Sequence, residues 1–286
     1  MKLSKEQLIK DIKDIGVEEG AILHVKVSLK SLSKMEEGVF TLIDALVESV
    51  GSSGTIVADA FIESYPLPLS NKNRDKISRY DTPSYAGVFV NAMIDYPGAV
   101  RSRHPIQKFV ALGRHAQTLM HNHMPGSYGY QVMEQIAHMG AYNLNIGTKV
   151  EGVGTTHVAV EKVGLKKRNP LKGVRYLTIR GTYDIAKVDW HGGCSKGFPK
   201  FIPYYKERGI VRYGKIGGAD SMLTSMRETL KCEIEVLKDN PSIFFCDNPE
   251  CKDCRLRWNH SRGNIISVKY HSALILLKRF FNRIIR

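Results

Sequence analysis

Residues 21–61, AILHVKVSLKSLSKMEEGVFTLIDALVESVGSSGTIVADAF, decide the fold. AILHVKV (21–27) is short, largely apolar and β-rich, which reads as a buried strand. After SLKSLSKMEEG, the apolar residues Val39, Leu42, Ile43, Leu46 and Val50 recur at helical spacing, and Gly51 ends that helix. A GSSG turn then leads into TIVADAF (55–61), a second buried strand. Strand, helix and strand in this order make a βαβ-like unit, so an α/β fold with a parallel sheet and helices on its faces is expected.

The pattern continues outward. Residues 4–15 read as a helix that Ser4 caps with Gln7, carrying Leu8, Ile9, Ile12 and Ile15 on one face. Residues 62–85 turn to Pro, Ser, Asn, Arg and Lys without a period, longer than an ordinary connection, and read as a substrate-side loop. A helix is expected from Arg114, a helix and strand over 132–147, a strand over 174–180, and one long helix over 219–238. The chain has 286 residues, 43% of them hydrophobic and 24% charged, which suits one large core rather than two independent domains. Residues 1–240 are expected to form that α/β domain, with 241–286 a Cys-rich segment and a basic amphipathic helix packed on it. No run approaches the roughly 20 apolar residues of a membrane span, and residues 1–16 lack the apolar core of an export signal, so a cytoplasmic protein is expected. The net charge of +14 favours anionic partners: a phosphorylated cofactor, a nucleotide-linked sugar, nucleic acid or an acidic membrane face.

Four constellations could carry chemistry. Ser28, Leu29, Lys30, Ser31, Leu32 and Ser33 lie between strand and helix, where hydroxyls and free amides could hold phosphate, with Lys26 close by. The plainer reading makes Ser33 the cap of the next helix. Arg101, Ser102, Arg103 and His104, with Pro105 behind them, gather two guanidinium groups, a hydroxyl and an imidazole at a turn suited to anions. GTKVEGVGTTHVAVE (147–161) is a Gly-rich turn that feeds a helix, which Thr155 or Thr156 can cap. It puts His157 in the first turn, where the helix N-terminus favours the neutral imidazole of a general base, and Glu161 one turn on along the same face. Taken singly, a histidine there is more often structural. Cys246, Cys251 and Cys254, in C-x4-C-x2-C spacing, with Cys194 from HGGC, could give four thiolates to a structural zinc; His191 or His260 could replace one, and buried free thiols are the alternative.

SLKSL after a strand, the RSxHP segment, ALG, and the G…TTHxxxE segment stand in the order and approximate spacing of the aminoglycoside N3-acetyltransferase family, and from about Ile22 to about Leu237 the chain resembles a divergent member. The resemblance implies a three-layer α/β/α sandwich with a central, mostly parallel sheet and acetyl-coenzyme A lying across it. The cofactor phosphates would lie near Ser28, Leu29, Lys30, Ser31 and Leu32 and near Arg101 and Ser102. His157 matches the family's catalytic histidine; Thr155 and Thr156 would line the thioester, and Asp189, with Glu161 as second choice, would orient the imidazole. It further implies direct transfer without an acyl-enzyme. The chain departs from the family at Lys26 and Val27, where a histidine and a small hydroxyl residue are usual, at Ser33 in place of glycine, and at Lys108 in place of serine. Aminoglycosides are polycations, whereas this chain is strongly cationic. Asp59, Glu63, Asp81 and His104 are the candidate substrate contacts, and an amino sugar on a nucleotide or lipid carrier in polysaccharide assembly is the preferred acceptor over an antibiotic.

In the tail, YHSALILLKRFFNRIIR, Tyr270, Ala273, Leu274, Leu277, Phe281 and Ile284 recur at helical spacing among Lys278, Arg279, Arg283 and Arg286. Such a helix lies on an anionic membrane face, or packs on the core or on a second subunit of a homodimer. A nucleic-acid-binding protein with a zinc knuckle, and a catalytically silent scaffold of the same fold, are the competing functions. The basic residues are dispersed and show no recognition motif, so no nucleic acid is expected.

Overall fold

The computed structural model describes residues 2–148, 152–168, 171–188, 193–261 and 263–284. The chain runs α1 (Lys5–Asp14), β1 (Ile22–Val27), α2 (Val39–Val50), β2 (Thr55–Asp59), β3 (Tyr65–Pro66), α3 (Asn71–Arg74), β4 (Ile77–Ser78), α4 (Val88–Ile94), β5 (Val100–Arg101) and β6 (Phe109–Gly113). It continues through α5 (Ala116–His121), α6 (Gln131–His138), β7 (Tyr142–Ile146), α7 (Thr155–Lys162), β8 (Lys172–Leu177), β9 (Tyr183–Lys187), α8 (Ile202–Glu207), β10 (Val211–Ile216), β11 (Ala219–Ser225), α9 (Met226–Asp239) and α10 (Ile265–Ile284).

Seven strands form the main sheet in the order β10-β11-β7-β1-β2-β6-β5. Its centre is parallel: β1 pairs with β2 through Ile22↔Thr55 and with β7 through Leu23↔Tyr142. The flanking strands β11, β10, β6 and β5 join antiparallel. Successive side chains of a strand alternate between faces, and here they separate two cores. Leu23, Val25, Ile56, Ala58, Leu144 and Ile146 pack with Leu8, Ile12, Leu42, Leu46 and Met93 of α1, α2 and α4 on one face. Ile22, Val57, Phe109 and Met222 pack with residues of α5–α9 on the other. The result is a three-layer α/β/α sandwich, in which each fully buried Leu or Ile contributes about 2 kcal/mol of transfer free energy.

Ser4 does cap α1, accepting from Gln7 N at 3.3 Å. Three other expectations change. Gly38, not Ser33, precedes α2, where Thr41 Oγ1 accepts from Glu37 N at 2.8 Å. The 62–85 segment is not a structureless loop, because its strands β3 and β4 both pair with β8 in a second small sheet. The single helix expected over 219–238 is strand β11 followed by α9, since β11 pairs along its length with both β10 and β7, and Ser225 then caps the helix by accepting from Glu228 N.

The segment after α9 shares the α5–α9 core through Phe244, Phe245, Cys246, Cys254 and Trp258. It also joins the chain just past α7: Lys167 and Trp258 form a β-bridge, and Arg168 N donates to Arg257 O at 2.8 Å.

Candidate active site

The carboxyl ends of the three parallel strands open on one cleft of about 930 Å³. Lys26 stands at the end of β1, Asp59 at the end of β2, and Thr148 just beyond β7, and all three line it. In open α/β sheets this edge is where ligands bind. Alternation along the same strands puts His24 and Lys26, Thr55 and Asp59, and Asn143 and Asn145 on the α5–α9 face, so polar groups gather beneath the helix that carries His157.

That helix, α7, follows the 147–154 turn. Gly147 needs φ +63°, and a side chain there would strike Ser31. Gly154 is the residue before α7, without a side-chain cap, so neither Thr155 nor Thr156 serves as cap. His157 is half-buried in the cleft wall, lying flat on Tyr130 (ring centroids 4.5 Å, 7° between planes) with the edge of Phe198 at 5.0 Å. Two aromatic walls thus fix the plane of the imidazole.

Asp59 faces the same space. Its Oδ1 lies 2.9 Å from Nε2 of fully buried His24, whose Nδ1 lies 2.9 Å from Asn143 Oδ1. Burial pushes the Asp59 carboxyl upward, but the His24 contact, helped by Lys26 and His157, outweighs it and leaves the group below its ordinary value, ionised at neutral pH. Glu63, also on the cleft, is exposed and accepts from Tyr65 Oη at 2.7 Å. Lys26, Lys167, Lys172 and Arg257 also line the cleft, and Lys167 (3.1 Å) and Arg257 (2.7 Å) share Asp253 Oδ1. Among the described residues the cleft therefore carries both signs of charge. The Thr148 hydroxyl has no hydrogen-bond partner among them.

Other candidates lie outside this cleft. The Arg101 guanidinium is buried and donates to the carbonyls of Tyr80 (2.8 Å), Thr82 (2.5 Å) and Ala60 (3.1 Å), so it anchors a loop instead of facing a cofactor. Ser102 Oγ accepts from Phe109 N at 3.0 Å and is buried. His104 Nδ1 accepts from the amides of Ile106 and Gln107, and its ring stacks on His123 at 4.7 Å. Burial lowers its pKa to about 3, which makes it a neutral turn brace and not a substrate contact. Asp81 and Glu161 are exposed and do not line the cleft. The Thr155 and Thr156 hydroxyls point into the core: Thr155 Oγ1 is 3.1 Å from Thr229 Oγ1, and Thr156 Oγ1 bonds Glu233. They cannot serve the thioester as they stand. Ser28, Leu29, Lys30, Ser31 and Leu32 abut the cleft without lining it; Ser31 Oγ donates to Gly147 O at 2.8 Å. Asp189 and His191 lie outside the described residues.

Tyr130, Phe198 and Glu233, which hold His157 and its helix in place, belong to none of the sequence motifs, and Lys26 stands in the sequence only as a neighbour of the Ser28 segment. Aromatic residues distant in sequence carry no local signal. Lys26 did carry one: His24 and Lys26 stand two apart in a strand that otherwise reads as apolar.

Known proteins carry the same framework. A family profile described as aminoglycoside 3-N-acetyltransferase matches residues 24–238. Aminoglycoside N(3)-acetyltransferase IV of Salmonella sp is 26% identical over 249 residues, covering 84% of this chain and 90% of that protein. Among solved structures, AAC-VIa bound to sisomicin superposes with a TM-score of 0.74 at 24% identity, covering 84% of this chain and 98% of that one. The binary complex of AAC-IIIb with coenzyme A gives 0.73 at 22% identity, covering 84% and 97%.

Proposed function

The chain belongs to the aminoglycoside 3-N-acetyltransferase family of acyltransferases, and from that premise we propose that it transfers acetyl from acetyl-coenzyme A directly to an amine, with His157 as general base. The observation that carries this reading is the His157 imidazole clamped between Tyr130 and Phe198 in a cleft that Asp59 also faces. An amine at neutral pH is mostly an ammonium ion, which cannot attack a thioester. Asp59 and Glu63 attract and orient the cation, which releases one proton to solvent as it docks, and His157 takes a second proton from the nitrogen as that nitrogen bonds to carbon. The freed nitrogen attacks the thioester carbonyl carbon and the carbonyl oxygen takes up the charge. The tetrahedral adduct then collapses with cleavage of the C–S bond, the thiolate leaves, and the imidazolium returns the proton to sulfur. Because the threonine hydroxyls are engaged in the core, Lys26 is assigned to the oxyanion. Its ammonium sits on the cleft beside the start of α7, 3.7 Å from where a Gly154 side chain would begin. Asp189 is kept as the group that orients His157.

Cations outnumber carboxylates on the described walls, a pattern that suits an amino sugar carried on an anionic group better than a free polycation. The test follows thiol release from acetyl-coenzyme A with nucleotide-linked amino sugars, free amino sugars and aminoglycosides in parallel. Faster turnover of the anionic carriers supports the substrate assignment, faster turnover of aminoglycosides reverses it, and absence of acetyl-coenzyme A binding rejects the function. Lys26→Met should lower kcat by roughly 10²-fold, as loss of one oxyanion donor does, with less effect on KM.

We also assign α10 to the surface of an anionic membrane. No helix of the described residues is long and apolar enough to cross one. Ile266, Tyr270 and Leu277 are exposed, whereas Val268 is buried. Residues 264–286 hold Lys269, Lys278, Arg279, Arg283 and Arg286 and no acidic residue. The full chain should sediment with vesicles containing phosphatidylglycerol and not with neutral phosphatidylcholine vesicles, and deletion of 265–286 should abolish the difference. Equal sedimentation with and without α10 contradicts the assignment.

A further inference from the structure

We propose that Cys194, Cys246, Cys251 and Cys254 hold one structural zinc ion, and that this ion fixes the wall of the cleft opposite the sheet. Their four sulfur atoms all lie within 4.8 Å of one another. Four thiolates placed tetrahedrally about zinc at about 2.3 Å stand about 3.8 Å apart, so a small inward adjustment closes the site. An iron–sulfur cluster inserts inorganic sulfide between its cysteines and needs a wider set.

The surroundings are built as a metal knuckle is. Asn248 O accepts from Cys251 N at 3.2 Å, and Asn248 Oδ1 accepts from Glu250 N at 3.0 Å, which folds the C-x4-C turn back on itself. Arg255 N donates to Cys251 O at 2.9 Å, and the Arg255 guanidinium donates to the carbonyls of Cys246 and Asn248. The Cys246 amide donates toward Cys254 Sγ at 3.5 Å, the kind of contact that steadies a ligating thiolate. Phe244, Phe245 and Trp258 enclose the site in the core. His260 is not a ligand: its Nε2 lies 2.9 Å from Pro241 O and its ring stacks on Phe245 at 5.0 Å. Cys232, the fifth cysteine, lies apart on α9.

The ligands come from two places 52 residues or more apart in sequence, and both border the cleft. Cys194 is flanked by Gly193 and Ser195, which line it, and Cys254 by Asp253, which also lines it. Asp253 Oδ2 accepts from Cys194 N at 2.7 Å, while its Oδ1 meets Lys167 and Arg257 on the same wall. Gly193 takes φ +134°, a conformation that favours glycine, and a Cβ there would push aside the Asp253 carboxylate and the Lys167 ammonium. Metal binding would therefore tie the 193–198 segment to the C-terminal segment and set the spacing of Lys167, Asp253 and Arg257. The four sulfur atoms take no part in the proposed acetyl transfer, although Phe198 of the tied segment also flanks His157.

Metal analysis of the full chain, purified without a metal-affinity tag, should find about one zinc per chain, and cobalt(II) exchange should give the thiolate charge-transfer and d–d bands of a tetrahedral site. Cys251→Ser should lose the metal and Cys232→Ser should keep it. Should Cys251→Ser fail to fold, stepwise mercurial modification of the wild type should release zinc in proportion to the thiols blocked. Stripping the zinc should raise amide hydrogen exchange over 193–198 and 166–168 while leaving β1 and β2 protected. A folded, metal-free wild type after growth with zinc, iron in its place, full zinc in Cys251→Ser, or unchanged exchange over 193–198 overturns the proposal. None of these readings depends on acetyl transfer.

Discussion

Behind His157 lies a carboxyl group with no surface exposure. Glu233 Oε1 accepts from Tyr205 Oη at 2.6 Å and from Thr156 Oγ1, the residue before His157, while Oε2 has no partner among the described residues. Burial pushes its pKa up to about 7 despite those hydroxyl donors. The sign follows from linkage: the folded protein holds this proton more tightly than the unfolded chain, so its contribution to stability is full below the ordinary value near 4.5 and is lost as pH rises to about 7. Glu233→Gln keeps the shape and removes the titration. Its stability relative to wild type should therefore rise between those pH values by on the order of 3 kcal/mol, as read by urea denaturation across the range; a flat difference would show that the group is not buried as a proton carrier. Residue by residue, His157 taken alone reads more often as structural, and its order with the SLKSL and RSxHP segments in the family pattern is what points to catalysis, while Asp59 is one of several candidate acids. Glu233 is one of several acids in a helix, and only the packing of α9 on α7 distinguishes it.

Elements were legible where their period was strong and unshared. The α2 stripe needed nothing beyond the chain itself, and Leu42, Ile43, Leu46 and Val50 are buried as that period requires. β11 departs from the expected helix because Ala, Met and Leu favour helix and the tertiary pairing that overrides them is not local. A signal was present nonetheless: Gly217 and Gly218, both at positive φ, form a two-residue turn between Ile216 and its partner Ala219. The polar alternation of His24 and Lys26, and of Asn143 and Asn145, likewise marked the face beneath α7. The RSxHP segment misled in a different way, because its residues suit anions equally well when spent on backbone carbonyls. Arg101 provides the test at this scale. Arg101→Met removes three hydrogen bonds from the buried guanidinium to backbone carbonyls and should cost about 3 kcal/mol or more of stability, measured by denaturant unfolding, with acetyl-coenzyme A affinity nearly unchanged in the folded fraction. A selective loss of affinity with stability intact would return Arg101 to the cofactor.

Across the whole molecule, the sandwich brings three strand ends and one helix start to a single edge, and residues 193–198 and 246–259 close the far side. Composition foresaw the charge but not its distribution: +14 overall coexists with Asp59 and Glu63 on the cleft. The central claim is a positioned base, and the most direct measurement compares His157→Ala with wild type for both acetyl-coenzyme A binding, by calorimetry, and the rate of thiol release with an accepted amine. Binding should be nearly intact, with turnover reduced roughly 10²–10⁴-fold and the wild type's acidic-limb pH dependence gone from the residual rate. Turnover within a few-fold of wild type, with that pH dependence retained, would place the base elsewhere.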